Sequence, residues 1–312
     1  MPFRCLIVDE LHDSIGSLLK HINVEYNYQP NITRQEIKEI LANYDGLIYR
    51  SKTNVDEDLI GNANLKFVAR AGAGIDSLDE AFLKERGITI INAPEGNRDA
   101  VGEHTVGLLL NLLHKISQGH NQVMANQWDR EGNRGYELGS LTVGIFGYGN
   151  AGSTFAKKLT GFGCRTIAYD KYLNKPSDNN AVLVDLNTFF KETQVLSLHI
   201  PLTTETHALA NFDFFKKFKN QLIMLNTSRG EIAPMNEINM AVASNKIILA
   251  GLDVLECEKL TKMNPSQSIA FNALKESGKV IFTPHVAGWT SESYQRINVV
   301  LANKIEAFLD CS

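Results

Sequence analysis

The feature that most limits what this chain can fold into is an apolar run that ends in three spaced glycines, Leu141-Thr-Val-Gly-Ile-Phe-Gly147-Tyr-Gly149-Asn150-Ala151-Gly152. It reads as strand, tight turn and helix. Gly147 serves the turn, Gly149 lets a pyrophosphate approach the backbone, and Gly152 lets the new helix lie close to the strand. The first turn of that helix, with Asn150 and Ala151, then faces the anion. A helical pattern over 153–162 follows, and a second strand, Arg165 to Asp170, ends in a carboxylate 21 residues past Gly149. An acid there accepts hydrogen bonds from an adenosine ribose and repels a 2′-phosphate, which points to NAD rather than NADP. Lys171, the next residue, works against that preference.

A chain of 312 residues is long enough for two domains, each with its own core. Its 31 Lys and Arg against 35 Asp and Glu leave a net charge of −4, so no basic excess points to nucleic acid or an anionic membrane surface as partner. No apolar run approaches the ~18 residues that span a bilayer. The run Phe3 to Val8 meets Asp9 and Glu10 too soon for a secretory signal. Cys5, Cys164, Cys257 and Cys311 show no CxxC spacing and form no metal set with the histidines. The expectation is a cytoplasmic protein with reduced thiols and no metal.

Residues 1–97 alternate short apolar runs with helical patterns. Strands are expected at Phe3 to Val8, Ile22 to Tyr26, Gly46 to Tyr49, Leu65 to Ala69 and Ile88 to Ile91, and helices at Leu11 to Lys20 and Arg34 to Leu41. Such alternation predicts a parallel sheet covered by helices on both faces, with ligands beyond the carboxyl ends of the strands. Two of those ends carry chemistry. Arg50-Ser51-Lys52-Thr53 offers a guanidinium fork, an ammonium and hydroxyls for a carboxylate or phosphate. Arg70-Ala-Gly72-Ala73-Gly74 offers bare backbone N–H groups that can form an anion nest.

From Arg98 to Ile116 an apolar pattern predicts a helix of about five turns, too apolar for a solvated surface and so expected between domains or subunits. The polar, glycine-bearing stretch 126–135 then leads to the glycine motif, and a domain boundary is expected near Asn97. In the second domain, strand ends carry Asn226-Thr227-Ser-Arg229-Gly230, Leu252-Asp253-Val-Leu-Glu256-Cys-Glu258 and Thr283-Pro-His285. One arginine, one acid and one histidine at neighbouring strand ends would converge on one crevice. The helical pattern of 291–309 is expected to cross back onto the first domain.

These motifs, with His199-Ile-Pro201-Leu202 and Gly251-Leu-Asp-Val254, resemble the D-isomer-specific 2-hydroxyacid dehydrogenases from about Arg50 to the end of the chain. Arg50-Ser-x-Thr-x-Val55 and Asn92-x-Pro-x-Gly-Asn97 are most similar to the phosphoglycerate dehydrogenases of that family, in the short form without a C-terminal regulatory domain. The resemblance implies an α/β architecture of two doubly wound parallel-sheet domains. One is a flavodoxin-like substrate domain, 1–97 with 286–312, and the other a Rossmann NAD-binding domain, 98–285. It implies that Arg229 binds the substrate carboxylate and carbonyl, that His285 exchanges the hydroxyl proton, and that Glu258 hydrogen-bonds His285. Asp253 would lie on the nicotinamide side, Pro201, Thr206, His199 and Thr227 along the cofactor, and Ala73, Gly74 and Asn97 at the substrate. Arg130 and Arg134 would reach across a homodimer formed through the helix 98–116.

Three positions depart from the family pattern: Asn150 where Arg is frequent, Lys259 where Pro follows the glutamate, and Trp289 where Ser or Ala is common. Lys259 leaves Glu256 open as an alternative to Glu258. The implied reaction is NAD-dependent oxidation of 3-phospho-D-glycerate to 3-phosphohydroxypyruvate in serine synthesis, by hydride transfer with a His/Glu acid–base pair. A hydroxypyruvate or glyoxylate reductase, acting on a non-phosphorylated 2-hydroxyacid, is the alternative. An NAD-sensing corepressor is the alternative of another class.

Overall fold

The computed structural model describes residues 2–172 and 177–311 and divides into two compact units, one of residues up to Arg98 together with those from Trp289 onward, the other Asp99–Gly288. In the first unit the strands are β1 (Phe3–Ile7), β2 (Val24–Tyr28), β3 (Gly46–Tyr49), β4 (Phe67–Arg70) and β5 (Thr89–Asn92). They are all parallel, in the order β2-β1-β3-β4-β5. That is the flavodoxin-like order, whose switch point lies between β1 and β3. The connecting helices are α1 (Ser14–His21), α2 (Arg34–Ile40), α3 (Glu57–Ile60) and α4 (Glu80–Glu85). Thr33 and Glu36 close a capping box at the start of α2, which is why the helix begins there.

Helix α5 (Pro94–His114) begins in the first unit and continues into the second, where α6 (Ile116–Met124) follows it. The second unit adds β6 (Thr142–Phe146), α7 (Asn150–Leu159), β7 (Arg165–Tyr169), β8 (Val182–Leu183), α8 (Leu186–Glu192) and β9 (Val195–Leu198). After these come α9 (Phe212–Lys216), β10 (Leu222–Asn226), α10 (Met235–Ala243), β11 (Ile247–Leu252), α11 (Pro265–Glu276) and β12 (Val280–Phe282). The seven parallel strands run β12-β11-β10-β9-β6-β7-β8. This is the Rossmann order extended by one strand, and the chain reverses direction across the sheet between β6 and β9, beside the glycine motif. Strands β9 and β10 are buried at every position, as central strands covered on both faces must be.

The last helix, α12 (Ser291–Asp310), belongs to the first unit. Its Ile297, Leu301 and Ile305 join Cys5, Ile7, Ile15, Phe67 and Ala69 in one core. Gly96 on the first turn of α5 admits it closely, since a Cβ there would lie 2.7 Å from the Ile297 backbone.

The helix expected over 98–116 differs in two ways. It ends at His114, because Lys115 adopts a left-handed conformation (φ 51°) and α6 starts afresh, held by hydrogen bonds between Asn111 and Ser117. Its apolar breadth is also taken up at home. Leu108, Leu109, Leu112 and Leu113 pack with Val143, Ile145, Val195 and Leu225 of the second unit's own sheet. Exposed apolar side chains follow just beyond it, at Ile116, Val123, Met124, Trp128 and Tyr136. Among the described residues no helix is long and apolar enough to cross a membrane, and no cluster of three or more metal-ligating side chains occurs.

Candidate active site

In the second unit the end of β6 and the start of α7 form a cradle. Gly147 is left-handed (φ 96°), and a Cβ on it would meet the His199 carbonyl at 2.6 Å. A Cβ on Gly152 would lie 2.1 Å from the Gly147 carbonyl. Gly149, by contrast, is exposed with nothing within 4 Å of where its Cβ would be. Helix α7 starts there with no side-chain cap. Open space beside uncapped N–H groups fits a dinucleotide pyrophosphate. Asp170 at the end of β7 holds this loop, accepting from the backbone N–H of Tyr148 at 2.8 Å and of Tyr172 at 2.9 Å. Lys171 pairs with Glu205, as does the Tyr172 hydroxyl, so its ammonium is drawn from Asp170.

Beyond β9, Thr206 Oγ1 donates to the Pro201 carbonyl at 2.7 Å and closes a turn. The His199 ring turns inward against Phe155, its Nε2 2.8 Å from Ser197 Oγ, and burial lowers its pKa to about 4. Beyond β10, buried Asn226 fastens the Arg229 stretch. Its Nδ2 donates to the Arg229 carbonyl at 2.9 Å, while its Oδ1 accepts from Ser228 Oγ at 2.8 Å. Thr227 Oγ1 lies 3.1 Å from Thr105 Oγ1 of α5. Gly230 is required because a Cβ would lie 1.9 Å from the Leu255 carbonyl carbon.

His285 and Glu258 meet: Nδ1 lies 2.7 Å from Glu258 Oε1, so it is Glu258 rather than Glu256 that reaches the ring. An ionised carboxylate only accepts, so Nδ1 carries the proton and Nε2 is left for a substrate. His285 is left-handed (φ 55°), a strained backbone state that such a residue keeps only where its surroundings enforce it.

Asp253 enforces it. Its carbonyl accepts from the His285 N–H at 2.8 Å. Its carboxylate accepts from Thr283 Oγ1 at 2.5 Å, Val286 N–H at 3.0 Å and Ala287 N–H at 2.9 Å. His104 Nε2 of α5 lies 3.5 Å away. Burial pushes this carboxyl up, but the donors from His104, Thr283, Ala287 and Val286 outweigh it and hold it below the ordinary range. Expected on the nicotinamide side, Asp253 has a fully buried carboxylate engaged with the Thr283, Val286 and Ala287 donors of the His285 loop.

In the first unit the switch point is organised by Asp9, which the sequence reading missed as a functional residue. Its Oδ2 accepts from the backbone N–H of Arg50, Ser51 and Lys52 at 2.6, 2.9 and 3.1 Å. The signal was present, since a carboxylate two residues past β1 sits beside the end of β3 once those strands are neighbours. The Arg50 guanidinium stacks 3.9 Å from the Trp289 ring centre. The Lys52 ammonium donates instead to the carbonyls of Pro30 and Ile32. After β4, the Arg70 Nε donates to the Arg50 carbonyl at 3.1 Å, and Asn92 Nδ2 holds the Ala73 carbonyl at 2.7 Å. The N–H groups of Ala73 and Gly74 donate to no described residue, as an anion nest requires. Asn97 lies on the first turn of α5. Arg130 and Arg134 lie on an exposed loop, with Arg134 paired to Glu131 at 2.6 Å.

Comparison with known proteins agrees with this chemistry. Residues 106–287 match the family model for the D-isomer specific 2-hydroxyacid dehydrogenase NAD binding domain. A hydroxypyruvate reductase from Thermotoga maritima is 35% identical over 97% of both chains. A D-3-phosphoglycerate dehydrogenase from Archaeoglobus fulgidus is 30% identical over 97% of this chain but 56% of its own length. The chain thus spans little more than half of the phosphoglycerate dehydrogenase it matches. Among solved structures, D-lactate dehydrogenase from Aquifex aeolicus, complexed with NAD and lactic acid, superposes with a TM-score of 0.82 at 24% identity, covering 98% of this chain and 95% of that one. A glyoxylate reductase scores 0.85 at 21% identity over 98% and 95% of the two chains. With the glycine cradle, the His285–Glu258 pair and a matched NAD-binding domain together, the chain belongs to the D-isomer specific 2-hydroxyacid dehydrogenases, a family of NAD-dependent oxidoreductases.

Proposed function

We propose that the protein oxidises 3-phospho-D-glycerate to 3-phosphohydroxypyruvate, a step towards serine, in the cytoplasm. The observation that carries this reading is the pair of anion receivers in the first unit: the N–H groups of Ala73 and Gly74, and the guanidinium of Arg50. A 2-hydroxyacid needs one, for its carboxylate; a phosphorylated one needs two.

NAD, when bound, would supply the acceptor for the C2 hydride. The cradle of Gly147, Gly149, Asn150, Ala151 and Gly152 would hold its pyrophosphate, and Asp170 would take the ribose hydroxyls, which would favour NAD over NADP. His285 Nε2 takes the C2 hydroxyl proton, and the Glu258 carboxylate holds the ring by its Nδ1–H so that Nε2 faces the substrate. Arg229 binds the carboxylate and polarises the carbonyl, while Ala73 and Gly74 share the carboxylate. Arg50 receives the phosphate. The protein is proposed to pair with a second copy through the apolar residues of 116–136, a surface that replaces the helix 98–116.

The second reading is reduction of hydroxypyruvate, favoured by the relative from Thermotoga maritima. The test measures kcat/KM on 3-phospho-D-glycerate and D-glycerate with NAD, and on hydroxypyruvate with NADH. Charge-assisted hydrogen bonds contribute ~1.5–3 kcal/mol each, so Arg50→Ala should lower kcat/KM for the phosphorylated acid roughly 10- to 150-fold and leave the others far less changed. Equal losses on all three substrates would move the reductase reading ahead.

A further inference from the structure

We propose that Trp289, absent from the usual family pattern, is a positioning residue that fixes Arg50 as a receptor for a second anionic group on the substrate. This rests on the substrate reading above and adds a residue to it.

The local sequence builds the stack. Thr290 is the N-cap of α12, in a capping box with Ser293, so Trp289 immediately precedes the cap and Tyr294 lies four residues into the helix. Apolar residues at those two positions clasp each other and fix the angle at which the chain enters the helix. Here the clasp is aromatic, with Trp289 and Tyr294 ring centres 5.1 Å apart. His12 abuts Tyr294 edge-on at 5.6 Å and supports it from behind. The Arg50 guanidinium lies 3.9 Å from the Trp289 ring centre and 5.8 Å from that of Tyr294. A serine or alanine at 289 could supply neither clasp nor platform.

What the stack leaves undone points to a ligand. Arg50 is half-buried, yet its guanidinium donates no hydrogen bond to any described residue. The Asp9 carboxylate beside it is occupied with three backbone N–H groups. A ring stacked on a guanidinium satisfies its face, not its N–H edge. The edge is therefore a planar fork with its rotamer already fixed, suited to a phosphate or second carboxylate. Preorganisation of this kind appears in affinity for that group and not in the hydride step.

The experiment compares Trp289→Leu, Trp289→Phe and Trp289→Ala. Leucine keeps an apolar clasp without a π face; phenylalanine keeps both in weaker form. With 3-phospho-D-glycerate, Trp289→Leu and Trp289→Ala should raise KM roughly 3- to 30-fold, the range a partly desolvated cation–π contact is worth, with kcat within about twofold. Trp289→Phe should recover most of the loss. D-glycerate should stay within about twofold in all three, and D-malate separates a second carboxylate from a phosphate. Competitive inhibition by inorganic phosphate should weaken in parallel. The receptor is overturned if phosphate does not inhibit the unsubstituted enzyme, if it inhibits Trp289→Leu equally well, or if all substrates suffer alike. The substrate reading fails separately, if the unsubstituted enzyme does not favour the phosphorylated acid.

Discussion

At the scale of the residue, the site depends on groups that fasten its loops. Asp253 grips Thr283, Val286 and Ala287 and holds His285 in a left-handed backbone. Asparagine at 253 turns one acceptor oxygen into a donor facing other donors. Asp253→Asn should therefore lower kcat at least about tenfold, as loss of a well-placed acid–base group does, while NADH affinity by fluorescence titration moves less than about threefold. A loss of NADH affinity as large as the loss in kcat would argue that Asp253 serves the cofactor directly. His199 gives a pH signature. Its pKa falls to about 4 in the folded protein against an ordinary 6.5, because burial disfavours the imidazolium. The stabilisation is whole above pH 6.5 and is lost as pH falls through about 4, amounting to about 3 kcal/mol. Thermal melts of His199→Gln should fall less steeply than those of the parent across that window. Identical slopes would show that the ring titrates normally.

At the scale of the element, the segments that follow β10 and β11 approach so closely that only glycine fits at 230, where a Cβ would lie 1.9 Å from the Leu255 carbonyl carbon. The obstacle is backbone, which cannot swing aside as a side chain could. Gly230→Ala should destabilise the fold by about 3 kcal/mol or more, measured by urea unfolding, and displace both Arg229 and the Glu258 loop. A change under about 1 kcal/mol would mean the crossing is loose. The same scale separates what the sequence disclosed from what it hid. The glycine motif and the strand ends carrying Arg229, Glu258 and His285 were legible, because each is written within a few consecutive residues. Asp9 and His104 were not, since their roles depend on which strands and helices are neighbours. The short helices α3 and α4 carry too few residues for a period to show. The breadth of the apolar face on α5 was read as a contact between domains or subunits, whereas Leu108, Leu109, Leu112 and Leu113 pack on the sheet of their own unit.

At the scale of the whole molecule, burial of α5 moves the proposed subunit contact to 116–136. Trp128 is 86% exposed and Met124 72%, with Ile116, Val123 and Tyr136 beside them in sequence. Light scattering should give twice the chain mass at micromolar concentration, and Trp128→Glu with Met124→Glu should give the chain mass. A parent that runs as a monomer would end the proposal. Another property of the whole follows from the placement of α12. The core around Cys5, Ile7 and Phe67 is closed by Leu301 and Ile305, which the ribosome adds only after all of Asp99–Gly288. At ~5–20 residues per second, that delay is roughly 10 to 40 s. The unit whose strands are made first is thus the one completed last, and during synthesis its open apolar face is the natural target for a chaperone.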